Sequence, residues 1–308
     1  MNEEASAPAE KRSLDTLAAI GCSKVVAGLW RVREWNMSAA LLKRYVQESM
    51  TLGVTTFDHA DIYGGGEVEA LFGDALTQTP SLRDRMQIVS KAGIRPRGSS
   101  AGAVRVKHYD TSRAYLQAAV ERSLQRLKTD HLDLFLIHRP DHLANNDEIA
   151  DAAESLIRQG KIRAFGVSNF TTRQFDSLRA KVPLATNQIE FSPFELQALD
   201  DDVFTGLSSA SVSPMIWSAL GGGRLFSETD ELALLLRREL TTLAEKYNAS
   251  SWVSIVYAWI FTLPCAPYLL VGSRRVESLQ QALEGLRIGL SREDWYAILE
   301  AARGKPVP

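Results

Sequence analysis

The sequence predicts an α/β protein: a closed (β/α)8 barrel of the TIM type, preceded by a small β-hairpin and followed by one extra C-terminal helix. Three observations carry this reading. Eight short apolar, β-branched runs alternate with longer runs of helical period. The short runs are apolar throughout rather than alternating, as parallel strands covered on both faces must be. An open dinucleotide-binding sheet would show G-x-G-x-x-G after an early strand, and Gly64-Gly65-Gly66 and Gly221-Gly222-Gly223 have the wrong spacing for it. With 308 residues the chain could hold two average domains, yet a barrel takes about 250 residues or more. No linker or internal repeat divides it. The expectation is a single barrel domain over 13–308 behind a flexible polar tail over 1–12.

Taken in order, Leu14–Ile20 and Val25–Leu29 flank the turn Gly21-Cys22-Ser23, which reads as a hairpin leading into the first strand. The remaining strand candidates are Val54–Phe57, Met86–Ser90, Leu132–Ile137, Ile162–Val167, Ala185–Ile189, Pro214–Trp217 and Tyr268–Val271. Between them lie helical signals. Leu116, Ala119, Val120, Leu124 and Leu127 follow Asp110-Thr111-Ser112, residue types that cap helix N-termini. Residues 146–159 stop at Gly160, and Thr171-Thr172 opens a further helix. Ser291-x-x-Asp294 forms a capping box ahead of Trp295, Ile298 and Leu299, the extra helix. The stretch from Gly93 to Asp110 shows no element of its own and reads as a long functional loop.

Composition excludes several classes. A net charge of -2 argues against a nucleic-acid protein, which would carry a basic excess to neutralise phosphates. Cys22 and Cys265 are far apart and form neither a metal pattern nor a disulfide framework, which points to a reducing compartment. No signal peptide or membrane span is read, so the expected location is the cytoplasm.

In such a barrel chemistry belongs at the C-terminal ends of the strands. There the sequence places Asp58 and, in the following loop, Tyr63. Lys91, His138, Ser168-Asn169, Gln188, Trp217-Ser218 and Gly272-Ser273-Arg274-Arg275 follow at later strand ends. Each alone has an ordinary structural reading, as a turn residue, an ion pair or a core hydrogen bond. Together, on one register, they read as a site.

The string FDHADIYGGG resembles the D-x-A-x-x-Y-G signature of the aldo-keto reductases. Lys91 in IVSKAG, His138 in LDLFLIHRPD, GVSNF, NQIEFSP, WSALGGGRLF and VGSRR continue the likeness in order, over about residues 13–304. FDHADIYGG, HRPD, WSALGGGRLF and SREDWY resemble in particular the bacterial YdhF-like oxidoreductases. The resemblance implies reduction of an aldehyde or ketone by hydride from NADPH. Tyr63 would donate the proton, Lys91 and Asp58 would support it, and His138 would orient the carbonyl. These roles suit the chemistry. A phenol of pKa about 10 is a weak acid whose anion needs a nearby cation, and a buried ammonium needs a carboxylate to stay charged.

For the cofactor, Ser168, Asn169 and Gln188 offer donors and acceptors to a carboxamide, and Trp217 a stacking face. Gly28, Trp30, Ser218, Leu220 and Gln281 are further expected cofactor contacts. Gly272, Ser273 and Arg274, at a helix start, would seat the 2′-phosphate that distinguishes NADPH. Many relatives carry Lys at Gly272 and Glu-Asn at Gln281-Ala282, so the adenosine contacts depart from the family here. Trp30, Tyr63 and His138 are the expected substrate walls, with Arg95, Arg97, Arg105 and Lys107 of the long loop able to favour an anionic carbonyl. Two other readings stay open. One is a lyase using Lys91 as a Schiff base, which leaves Ser168, Asn169, Gln188 and Arg274 without a shared purpose. The other is a nicotinamide-binding sensor or subunit with little or no turnover.

Overall fold

The structure is a computed structural model that describes residues 15–98 and 104–308. The tail expected over 1–12 lies outside the described residues. Eight parallel strands close into a barrel: β1 Val25–Gly28, β2 Thr56–Asp58, β3 Gln87–Ala92, β4 Leu132–Ile137, β5 Ile162–Ser168, β6 Asn187–Glu190, β7 Met215–Trp217 and β8 Tyr268–Val271. Each pairs with its neighbours in sequence, and β8 closes on β1 with Leu270 opposite Val26. The outer ring is α1 Ala39–Thr51, α2 Glu67–Thr77, α3 Arg113–Leu127, α4 Asn146–Arg158, α5 Thr172–Arg179, α6 Val203–Ser209, α7 Trp252–Phe261 and α8 Val276–Gly285. The helix starts follow the sequence signals. Ser112 caps α3, and Thr171 with Gln174 forms a full capping box on α5.

Successive side chains on a strand point to opposite faces, so each strand serves two cores. Outward residues such as Phe57, Phe135 and Ile216 pack under the helices. Inward ones, among them Val26, Val89, Leu136, Met215 and Leu270, fill the barrel. Space inside is short at Gly166, where an added Cβ would lie 2.8 Å from the Thr186 carbonyl oxygen and 2.9 Å from Leu136. Two residues further along the same inward face stand Lys91, His138, Trp217 and Gly272. The apolar column therefore ends in a polar mouth, which is how a packed barrel carries a site at one end.

Three expectations need correction. No hairpin precedes β1 among the described residues. Thr16–Ala19 is instead a helical turn capped by Asp15, and its buried Leu17 plugs the bottom of the inner column. Asp15 also accepts the Tyr268 hydroxyl at 2.8 Å. A four-residue apolar run fits either a strand or a helical turn, and closing the barrel base selected the turn. Second, the loop after β3 does carry an element: Ile94–Arg95 pairs antiparallel with His108–Tyr109. Third, the C-terminal helix Arg292–Arg303 has a companion, Glu231–Lys246, inserted before α7. The two are clasped by Lys246, whose Nζ donates to both Asp294 carboxylate oxygens at 2.8 and 2.9 Å.

Candidate active site

Asp58 ends β2, and the chain then makes a short turn that presents Tyr63. Gly64, Gly65 and Gly66 follow with φ of 56°, 69° and 98°, a left-handed run that only glycine adopts readily, before α2 begins. Lys91 arrives from β3. His138 follows β4, tied there by its N–H to the Ala92 carbonyl at 2.8 Å.

Lys91 is 1 % exposed, and its ammonium donates to Asp58 Oδ1 at 2.6 Å, to the His59 carbonyl at 2.7 Å and to the Tyr63 hydroxyl at 3.2 Å. Three donors meet three acceptors, so the buried charge is satisfied. Burial works against that charge, but Asp58 and Tyr63 outweigh it and hold the Lys91 pKa above the ordinary lysine value. Burial pushes the Tyr63 phenol up, with the Lys91 ammonium pulling the other way. The imidazole of His138 is held well below its usual value, by burial first and then by the charges of Lys91, Arg139 and Lys107. It is neutral at pH 7. Its ring meets that of Tyr63 edge-on, with centroids 5.9 Å apart.

A second hydrogen-bonded chain crosses the mouth. Gln188 Nε2 donates to Asp58 Oδ2 at 2.8 Å, which leaves its Oε1 to accept. Ser168 Oγ donates to the Gln188 carbonyl at 2.9 Å and receives Asn169 Nδ2 at 2.7 Å. Asn169 Oδ1 accepts the Trp217 indole N–H at 3.3 Å. These side-chain amides, the Ser168 hydroxyl and the Trp217 indole are thereby locked into one assembly, with Asn169 and Ser218 both in left-handed backbone conformations.

These groups border one cavity of about 700 Å³, within the usual range for ligand sites. Every expected site residue lines it except two. Lys91 lies beneath, reaching it through Asp58 and Tyr63. Arg274 is exposed and off the wall, whereas its neighbour Arg275 is on it. Gly28, Ser218, Leu220, Gly272, Ser273 and Gln281 line the cavity, and Trp30 forms a rim that is 56 % exposed. A Cβ on Gly272, Gly222 or Gly223 would meet no atom within 4 Å, so these backbones form an open cradle suited to a dinucleotide phosphate chain. Of the loop cations, only Lys107 reaches the wall; Arg95 is turned toward Asp110, 3.6 Å away. Arg31, Tyr109, Arg139 and Phe226 also line the cavity and escaped the sequence reading as site residues. Arg139 was visible next to His138 in the HRPD string, but nothing in the sequence showed which way it points.

An inward tyrosine, lysine, aspartate and histidine at the mouth of a (β/α)8 barrel, beside a dinucleotide-sized cleft, define an oxidoreductase of the aldo-keto type. The family model for the aldo/keto reductase family matches residues 24–303, and the chain belongs to that family. Among its relatives it is similar to Oxidoreductase YdhF of Escherichia coli, 47 % identical over 93 % of this chain and 95 % of the relative. It is also similar to a 6-dehydroglucose reductase of Agrobacterium fabrum, 36 % identical over 92 % and 96 %. Among solved structures, the glycerol dehydrogenase of Gluconobacter oxydans superposes with a TM-score of 0.80 at 26 % identity, over 93 % of this chain and 94 % of that one.

Proposed function

We propose that this protein is an NADPH-dependent reductase that converts an aldehyde or ketone to an alcohol, with Tyr63 as the proton donor. The observation that carries the reading is the Lys91 ammonium, buried and shared between Asp58 and the Tyr63 hydroxyl. Tyr63 is protonated at neutral pH, since a phenol titrates at about 10 and burial raises it further, so it has a proton to give. Once the proton leaves, the tyrosinate stands 3.2 Å from Lys91 Nζ, whose charge stabilises it. Asp58 keeps Lys91 charged and aimed. Neutral His138 can donate one N–H to the substrate oxygen and so sets its approach. When bound, a nicotinamide cofactor supplies the hydride. Ser168, Asn169 and Gln188 would hold its carboxamide, and Trp217 its ring. Gly272, Ser273 and the Arg274-Arg275 pair at the start of α8 would hold the phosphates. In this reading residues 13–308 act as one catalytic unit, and a cytoplasmic setting suits the two unbridged buried thiols, Cys22 and Cys265.

The test is a panel of aldehydes and ketones incubated with NADPH and with NADH, followed by loss of nicotinamide absorbance. Oxidation of NADPH in preference to NADH, dependent on an added carbonyl, is expected. Cofactor binding with no turnover on any carbonyl would leave a sensor. Borohydride trapping of substrate on Lys91 would leave a Schiff-base lyase.

A further inference from the structure

We infer that the carbonyl compound reduced here carries an anionic group, a carboxylate or a phosphate, received by Arg139 and Lys107 on the cavity wall beside His138. The inference rests on the carbonyl-reductase reading above and narrows its substrate.

The charge balance of the cavity is lopsided. Its lining holds four cationic side chains, Arg31, Lys107, Arg139 and Arg275, against one carboxylate, Asp58, among the described residues. Asp58 is already spent on Lys91 and Gln188. Two of the four cations have other employment. Arg31 donates to the Gly222 carbonyl at 3.1 Å, and Arg275 lies 3.7 Å from Glu277. Arg139 and Lys107 make no ion pair with the described residues. Glu190 feels the charge of Arg139, but it does not line the cavity. The charges of both cations also act on His138, so they border the substrate end rather than the phosphate end.

Arg139 is held for this task. Its guanidinium carbon lies over the Trp217 ring, 5.5 Å from the centroid. A guanidinium held over an aromatic ring still offers N–H groups for a planar, bidentate anion. Trp30 and Ile94 add apolar wall to the cavity, Ile94 on the strand that pairs with the one following Lys107. Unpaired cations beside apolar walls in a confined cleft raise the local concentration of anions and repel cations. The anionic group takes no part in bond making. Hydride adds to the carbonyl carbon and the Tyr63 proton to its oxygen, at the far end of the substrate from the charge.

Two matched pairs of substrates test this with the whole protein and whichever nicotinamide cofactor it oxidises. Butanal is compared with succinic semialdehyde, and glyceraldehyde with glyceraldehyde 3-phosphate. The expected result is a kcat/KM about tenfold to a hundredfold higher for at least one anionic member than for its neutral partner, the range of one or two charged contacts. The pair that responds tells a carboxylate from a phosphate. The preference should fall as ionic strength rises, while the neutral rate stays flat. In Arg139→Gln and Lys107→Gln the anionic-to-neutral ratio should collapse towards one, and a general loss of activity cancels in that ratio. Arg139→Glu should invert the preference. Equal efficiency within both pairs, or an unchanged ratio in the variants, overturns the inference while leaving carbonyl reduction intact. No turnover of any of the four while other carbonyls of the panel are reduced also overturns the inference, and no turnover of any carbonyl overturns both.

Discussion

The two ends of the barrel each bury a carboxylate against cations, and they do it differently. At the base, Asp133 is fully enclosed by donors. Ile88 N–H reaches it at 2.9 Å, Arg83 Nη2 at 2.9 Å and Arg163 Nη1 at 3.0 Å. The arginine there that reaches farthest out, Arg163, is 55 % exposed, so solvent shares the charge. At the mouth the roles reverse. The cation, Lys91, is the enclosed member, and one of its three partners is a phenol that can lose a proton into a cavity. The base network, with His131 Nε2 3.8 Å from Asp133, opens on no wall of that cavity and serves stability. A network with one titratable, cavity-facing member can shift charge during a reaction.

The largest effect that would break this contrast is on chemistry. Tyr63→Phe keeps the ring and removes only the hydroxyl. It should cost about 10²–10⁴-fold in kcat/KM for carbonyl reduction, with NADPH affinity and thermal midpoint close to wild type. Near-normal reduction by this variant would end the proposed mechanism. Next in size is the base. Asp133→Ala strands Arg83 and Arg163 and should destabilise the fold by about 3–5 kcal/mol in urea unfolding, Arg83 being the more buried partner. Activity per folded molecule should be unaffected. A selective loss of kcat would mean the two ends are coupled.

The third effect is a pH dependence. Burial, helped by the charge of Lys91, drives the His59 imidazole down to about 3, and His138 is also well below its usual value. In the unfolded chain both accept a proton near pH 6.5, whereas in the folded protein they do not until the medium is far more acidic. The unfolded state thus binds more protons in that interval. Stability is full above about pH 6.5 and falls as the pH drops below it, by about 1.4 kcal/mol per pH unit for each group. Urea midpoints at pH 7 and pH 5 measure this, and His59→Leu should flatten the slope. An unchanged slope in that variant would assign the acid sensitivity elsewhere.

A smaller effect sharpens the cofactor end. Of the arginine pair, Arg275 lines the cavity, so Arg275→Ala should weaken NADPH by about 1.5–3 kcal/mol and leave NADH unchanged. Arg274→Ala should do less. The reverse order would put the 2′-phosphate on the outer side of α8. Smallest is Asn169→Ala, which removes a group shared by both cofactors. It should weaken each alike, by about 1 kcal/mol, leaving their ratio constant in paired titrations.

Most strands were legible because short apolar, β-branched runs and their ends are local facts of the sequence. Leu132–Ile137 and Tyr268–Val271 were read to the residue, while Ala185–Ile189 was placed two residues early at its start. The departures share a cause. Thr16–Ala19 is too short for its periodicity to choose between strand and turn. Ile94–Arg95 and His108–Tyr109 are strands only because they pair across an intervening loop. The helical pattern of Glu231–Lys246 was there to see, but a barrel of eight crossovers gave no reason to expect another helix.

By itself the sequence determined the barrel and placed Asp58, Lys91 and His138 at strand ends, with Tyr63 in the loop after β2, since a strand end is a local feature of the chain. Only the tertiary structure decided which long cations meet at the cavity. Arg95, Arg274 and Arg139 are equivalent as letters in a chain. Their flexible side chains take direction from what packs beside them: Asp110 for Arg95, open solvent for Arg274, and the face of Trp217, brought from a strand three places further round the barrel, for Arg139.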